Sequence, residues 1–125
     1  MANSYALDLY GEVEDLLKLD SSTQKLHSIY LKKLNKIKFN SLLDIGSGNG
    51  NFLLKVKKRY KNIDIMGIEK SPYMRKISLK KGVSVYSSLD EIDREFDIAV
   101  AIFDMVNYLS FKELKEFFEK LYLKL

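Results

Sequence analysis

The chain has no cysteine. Disulfides, thiolate catalysis and cysteine-ligated zinc are therefore excluded. A single histidine, His27, rules out a histidine-rich metal centre. Only three of the 21 basic residues are arginine: Arg59, Arg75 and Arg94. Arginine's planar fork is the preferred partner for phosphates and base edges, so a dedicated nucleic-acid face is not favoured. No apolar run approaches the roughly 20 residues of a membrane helix. The opening MANSYALDLYGEVEDLL carries acids early and lacks the basic-then-apolar pattern of a secretory leader. These absences predict a soluble, cytoplasmic protein with no membrane partner. Proline occurs once, at Pro72, and glycine only six times.

The rest is an ordinary globular balance. Hydrophobic residues make up 46% and charged residues 30%, with a formal net charge of +4. A chain of 125 residues is the size of one domain and long enough to bury roughly two thirds of its unfolded surface. The mild basic excess reads as a solvated surface.

Two helical segments come first. Leu9, Val13, Leu16 and Leu17 have helical spacing over residues 4–18, and a second helix opens at DSSTQKL, where Ser21 and Gln24 form a capping-box pattern. Leu26, Ile29, Tyr30 and Leu34 give it one apolar face. His27 lies beside this stripe with no partner visible in the sequence and reads as a surface or boundary residue. From residue 41 onward, strands and helices alternate. Strands are predicted at 41–46, 63–69, 83–87 and 96–103, with helices at 50–60, 72–81 and 110–124. This rhythm predicts parallel βαβ units, and the near-continuous apolar strands predict a sheet covered on both faces. Ser71 and Pro72 suit the cap and first position of a helix. Gly82, after Lys80 and Lys81, suits a left-handed C-terminal cap.

Three of the six glycines fall within five positions, in LLDIGSGNGNF, Leu42 to Phe52. Each glycine gives up more backbone freedom on folding than any other residue, so something here needs the bare main chain. In a parallel α/β fold, ligands sit at the carboxyl ends of the strands. The first strand ends at Ile45, so Gly46 and Gly48 would let a ligand approach the backbone. Gly50 would permit the tight turn into the next helix, whose free N–H groups attract polar or anionic groups. Glu69 follows Gly50 by 19 residues, at the tip of the second strand. A carboxylate there is placed to accept from the two hydroxyls of a ribose. A dinucleotide site wants G-x-G-x-x-G, and here the third glycine comes one residue early.

LLDIGSGNGNF resembles motif I, D-x-G-x-G-x-G, of the class I S-adenosylmethionine-dependent methyltransferases. IMGIEKSPYM resembles their second motif, and FDIAVAIFDMVNYLS their fourth-strand segment. The resemblance covers about residues 40–124. It implies a Rossmann-like parallel sheet of order 3-2-1-4 with flanking helices and S-adenosyl-L-methionine as cofactor. Residues 1–38 would form a helical segment on the substrate side and residues 39–125 the cofactor-binding domain. By this resemblance Asp44 would orient the loop and reach the cofactor amino group through water. Gly46, Ser47 and Gly48 would line the methionine moiety, Glu69 would hold the ribose, and Lys70 and Met74 would border the adenine. Phe103 would approach the methionine end. Many relatives place an aspartate after the third strand for the adenine amino group. This chain has YSSLDE, which leaves Ser87, Ser88 or Asp90 for that task. Asp104 is the candidate base or substrate contact, with Asn107 and Tyr108 behind it. Tyr5 and Tyr10 are either a lid over the cofactor or core residues of the first helix.

The family core has seven strands, and four are legible here. The chain is therefore expected to be truncated relative to that core. Its fourth strand would then be an apolar edge through which self-association is possible. No Asn/Asp-Pro-Pro-Tyr motif for base amines is present, and the FDMVNYL segment leans toward a small-molecule acceptor. The competing readings are a nicotinamide-type dinucleotide oxidoreductase and a non-catalytic methyltransferase-like interaction module.

Overall fold

Four short apolar segments pair into one parallel sheet in a computed structural model that describes residues 21–102 and 109–125. The predicted helix over 4–18, with Tyr5 and Tyr10, lies outside the described residues, as do Phe103, Asp104, Asn107, Tyr108 and the side chain of Ser21. The elements in chain order are α1 (Ser21–Leu34), β1 (Ser41–Ile45), α2 (Asn51–Arg59), β2 (Asp64–Ile68), α3 (Pro72–Lys80) and β3 (Val85–Tyr86). A 3-10 turn (Leu89–Glu91), β4 (Ile98–Val100) and α4 (Phe111–Tyr122) complete them. The strand order is β3-β2-β1-β4, as the resemblance implied. In register, Ser41 faces Asp64 and Ile45 faces Ile68 across β1 and β2, while Asp44 faces Val100 across β1 and β4.

Both faces of the sheet are covered. Leu42 and Val100 point into a cluster with Leu34 of α1 and with Phe52, Leu53 and Val56 of α2. The next residue along, Leu43, joins Ile45 and Ile68 on the opposite face, against Leu89, Ile92, Phe96 and Leu121. Adjacent strand residues pointing to opposite faces explain why the strands read as unbroken apolar runs. The chain turns where expected. Ser71 Oγ accepts from Met74 N at 3.2 Å ahead of Pro72, and Gly82 sits at φ 82°.

The outer strands are shorter than their apolar runs. Val83 N donates to Ser78 O at 3.0 Å, closing the end of α3, so β3 pairing starts only with Ser84 O, which accepts from Gly67 N at 2.9 Å. In front of β4, Phe96 N donates to Lys124 O at 2.6 Å, and Asp97 N to Ser41 Oγ at 2.9 Å. Amides committed to caps and neighbours cannot join a ladder, whatever their side chains favour. Among the described residues β4 pairs only with β1. Helix α4 buries Leu121 and partly Phe117, yet Phe111 is 86% and Tyr122 79% exposed on its outer side.

His27 corrects the sequence reading. It is 2% exposed, with its ring edge-on to Phe52 at 5.2 Å between centroids and Nδ1 2.8 Å from Lys55 Nζ. Leu26, Tyr30 and Leu34 of the predicted stripe pack into the cluster with Phe52 of α2 and carry the neighbouring histidine inside, whereas Ile29 stays 50% exposed. Burial, reinforced by the Lys55 charge, lowers its pKa from 6.5 to about 4. The folded protein therefore binds fewer protons than the unfolded chain between these values. Stability is unaffected above pH 6.5, falls as pH drops toward 4, and loses no more below that. The loss is about 3 kcal/mol from this group. Urea titrations across pH 4–7 should show this slope in the parent and a flatter one in His27→Gln.

Candidate functional site

The end of β1 delivers the glycine loop to the start of α2. Gly46 N and Ser47 N both donate to Ile68 O, at 2.8 and 3.0 Å, so the loop is tied to the tip of β2 before it turns. Gly50 caps α2 with φ 84°, a left-handed backbone that a side chain strains. A Cβ there would also lie 3.0 Å from Ser78 Oγ. The run of three glycines is thus a bend of left-handed residues, with Gly46 and Gly48 also at positive φ.

Glu69 closes over this bend. Its Oε1 accepts from Gly48 N at 3.0 Å and its Oε2 from Ser71 N at 2.9 Å. The residue is buried. Arg75 holds the turn behind it, donating from one guanidinium nitrogen to the carbonyls of Glu69 and Lys70 at 2.7 and 2.8 Å. Each carboxylate oxygen has two acceptor sites and here uses one on the backbone. The remaining sites are available to a pair of hydroxyls.

Asp44 lies beneath, 3% exposed, and its Oδ1 has no hydrogen-bond partner among the described residues. Burial, with the Glu69 charge adding to it, pushes its carboxyl well above the usual range. The Ser47 hydroxyl is likewise buried and without a partner among the described residues. Buried polar atoms are nearly always paired, so two orphans beside an open-backboned loop mark a place for a polar ligand. An adenosyl amino acid, with a ribose diol at one end and a zwitterion at the other, fits this donor and acceptor set.

The remaining predicted residues divide into two groups. Lys70 and Ser88 meet in a crevice of about 180 Å³ at the tips of β2 and β3, floored by Ile68, Leu89 and Phe117. Ser88 Oγ accepts from Asp90 N at 3.1 Å, capping the 3-10 turn, and Ser87 Oγ donates to Glu91. The Asp90 carboxylate is drawn instead to Lys120 Nζ at 3.0 Å, whose hydrogen bond and charge lower its pKa. Met74 is buried behind the loop, its Sδ 3.8 Å from where a Cβ on Gly48 would stand. Phe103 and Asp104 lie outside the described residues.

Three residues that the sequence reading did not single out for the site shape it. Gly67 of β2 admits Ser47, since a Cβ at 67 would stand 2.4 Å from Ser47 Oγ and 2.8 Å from Ser47 Cβ. A lone glycine inside an apolar strand is the signal that could have found it. Ser78 and Lys81 of the α3 segment contact the loop from behind. A polar pair continuing the Met74 face was their only trace in the sequence.

A family profile described as a methyltransferase domain matches residues 42–125. Comparison with curated protein sequences gives no match. Among solved structures, DesVI of Streptomyces venezuelae superposes with a TM-score of 0.75 at 22% identity, over 93% of this chain and 52% of its own. An S-adenosylmethionine-dependent methyltransferase from Clostridium acetobutylicum gives 0.70 at 21%, over 98% and 53%. CalS10 from Micromonospora echinaspora, an amino pentose methyltransferase solved with S-adenosylmethionine bound, gives 0.68 at 20%, over 100% and 52%. The chain spans about half the length of these structures. With the profile match over most of its length, the glycine bend at the end of β1 and the 3-2-1-4 parallel sheet, the chain belongs to the methyltransferase-domain family in its class I, Rossmann-like form.

Proposed function

We propose that the chain binds S-adenosylmethionine between the tips of β1 and β2 and serves methyl transfer to a small-molecule acceptor. The observation that carries this reading is the Glu69 carboxylate, buried against the glycine bend through Gly48 N at 3.0 Å with acceptor sites to spare. In this reading Glu69 holds the ribose hydroxyls, Asp44 orients the loop and reaches the amino group of the cofactor through water, and Ser47 lines the methionine moiety. Lys70 and Ser88 border the adenine in the adjoining crevice, and residues 39–125 form the cofactor-binding part. Bound there, the cofactor supplies a sulfonium methyl that a nucleophile can take while a neutral thioether leaves. The protein's own contribution is to hold and align, which supplies several kcal/mol of a reaction barrier. The solved relative that acts on an amino pentose supports a small acceptor. The early third glycine disfavours a dinucleotide, because the pyrophosphate geometry needs the longer spacing.

The test is titration calorimetry of the chain with S-adenosylhomocysteine and with NAD. Saturable heat with the first and none with the second is expected. No heat and no thermal shift with S-adenosylhomocysteine would overturn the reading.

A further inference from the structure

One face of the α3 segment is turned toward the glycine loop and touches it through Met74, Ser78 and Lys81. Met74 packs under Gly48. Ser78, wholly buried, donates from Oγ to the Gly48 carbonyl at 3.2 Å. Lys81 donates from Nζ to the next carbonyl, that of Asn49, at 3.2 Å, and to Asn51 Oδ1 at 2.8 Å. Two consecutive carbonyls of the bend are therefore drawn to the same side. In a planar trans peptide the C=O and the following N–H point in opposite directions. Pulling the Gly48 carbonyl toward α3 thus turns the Asn49 N–H away from it.

Lys81 caps the end of α3, where the helix dipole favours a cation, yet its side chain reaches across to the glycine loop. Its ammonium lies beside Asn51, the first residue of α2, where the positive end of the helix dipole opposes a cation. A lysine at the end of α3 could extend into water at no such cost. Its hydrogen bonds to a loop carbonyl and an amide oxygen act against that field. Ser78 likewise sets the space behind Gly50, where even a methyl group would crowd its hydroxyl.

We propose that Ser78 and Lys81 are positioning residues, a brace that fixes the carbonyl directions of the glycine bend before the cofactor arrives. Cofactor affinity then depends on α3, although neither side chain need touch the ligand. This rests on the S-adenosylmethionine reading of the same loop.

The test compares Lys81→Met, Ser78→Ala and the conservative Lys81→Arg with the parent by two measurements. The first is amide hydrogen exchange in the ligand-free protein, comparing residues 48–51 with Leu43 of β1. The second is S-adenosylhomocysteine affinity by calorimetry. Loss of one brace contact should speed exchange in the loop about tenfold with Leu43 unchanged, and weaken binding about five- to tenfold. Lys81→Arg should restore both. Unchanged loop exchange in Lys81→Met and Ser78→Ala overturns the brace, as does a rise that is equal at Leu43. If the parent fails to bind S-adenosylhomocysteine, the proposed function falls, while the exchange measurement still decides the brace.

Discussion

Replacing Glu69 with alanine should weaken S-adenosylhomocysteine binding about tenfold to a hundredfold, from the loss of charge-assisted hydrogen bonds of about 1.5–3 kcal/mol. The same change removes the acceptor for Gly48 N and Ser71 N. The ligand-free protein should lose about 2 kcal/mol from the two stranded amides. Glutamine is no rescue. Both carboxylate oxygens accept from backbone N–H groups, so one of these donors would meet the glutamine NH2. Glu69→Gln should therefore fall near Glu69→Ala in calorimetry and in thermal melts. Near-parental binding by either variant would remove the ribose assignment.

The opposite trade is expected at Asp44. Asp44→Asn should make the ligand-free protein more stable at neutral pH, by about 1–2 kcal/mol, and bind cofactor at least tenfold more weakly. The carboxyl is buried, its Oδ1 is unpaired among the described residues, and Glu69 adds a like charge nearby. Its pKa is raised on folding, so the folded state keeps the proton longer than the unfolded chain. The stabilising effect of that proton is fully present below about 3.8 and is lost as pH rises through the folded value. The gain in Asp44→Asn should therefore be absent at the acid end and grow toward neutrality. Chemical denaturation at several pH values checks the first half and titration of the ligand the second. A variant that is both less stable and equally good at binding would contradict this assignment.

The glycine bend and Glu69 could be read from the sequence because their demands are local. A left-handed turn selects glycine at the residue itself, and the spacing to the next strand tip is fixed by one βαβ unit. Parallel pairing followed from the same repetition, but the strand order came from the family resemblance, because repetition alone does not say on which side of β1 each strand falls. Gly67, Ser78 and Lys81 were not legible in this way. Their roles arise where α3 and β2 come up against the loop, and no periodicity within either element encodes which residue meets which. His27 was misread because a lone polar residue beside an apolar stripe looks identical whether it faces water or a neighbouring helix. The shortened β3 and β4 share one cause. Side-chain character predicts a strand, but the amides of Val83, Phe96 and Asp97 are already committed elsewhere.

The outer side of α4 bears on how the protein is to be handled. With Phe111 and Tyr122 largely in water and Phe118 and Leu125 also exposed, the native state offers a surface to environment-sensitive dyes. Such dyes report unfolding by lighting up on newly bared apolar area, so here they would already glow in the cold. The chain has no tryptophan to serve as an internal reporter. Its melting is best followed by far-ultraviolet dichroism or by the absorbance of its eight tyrosines.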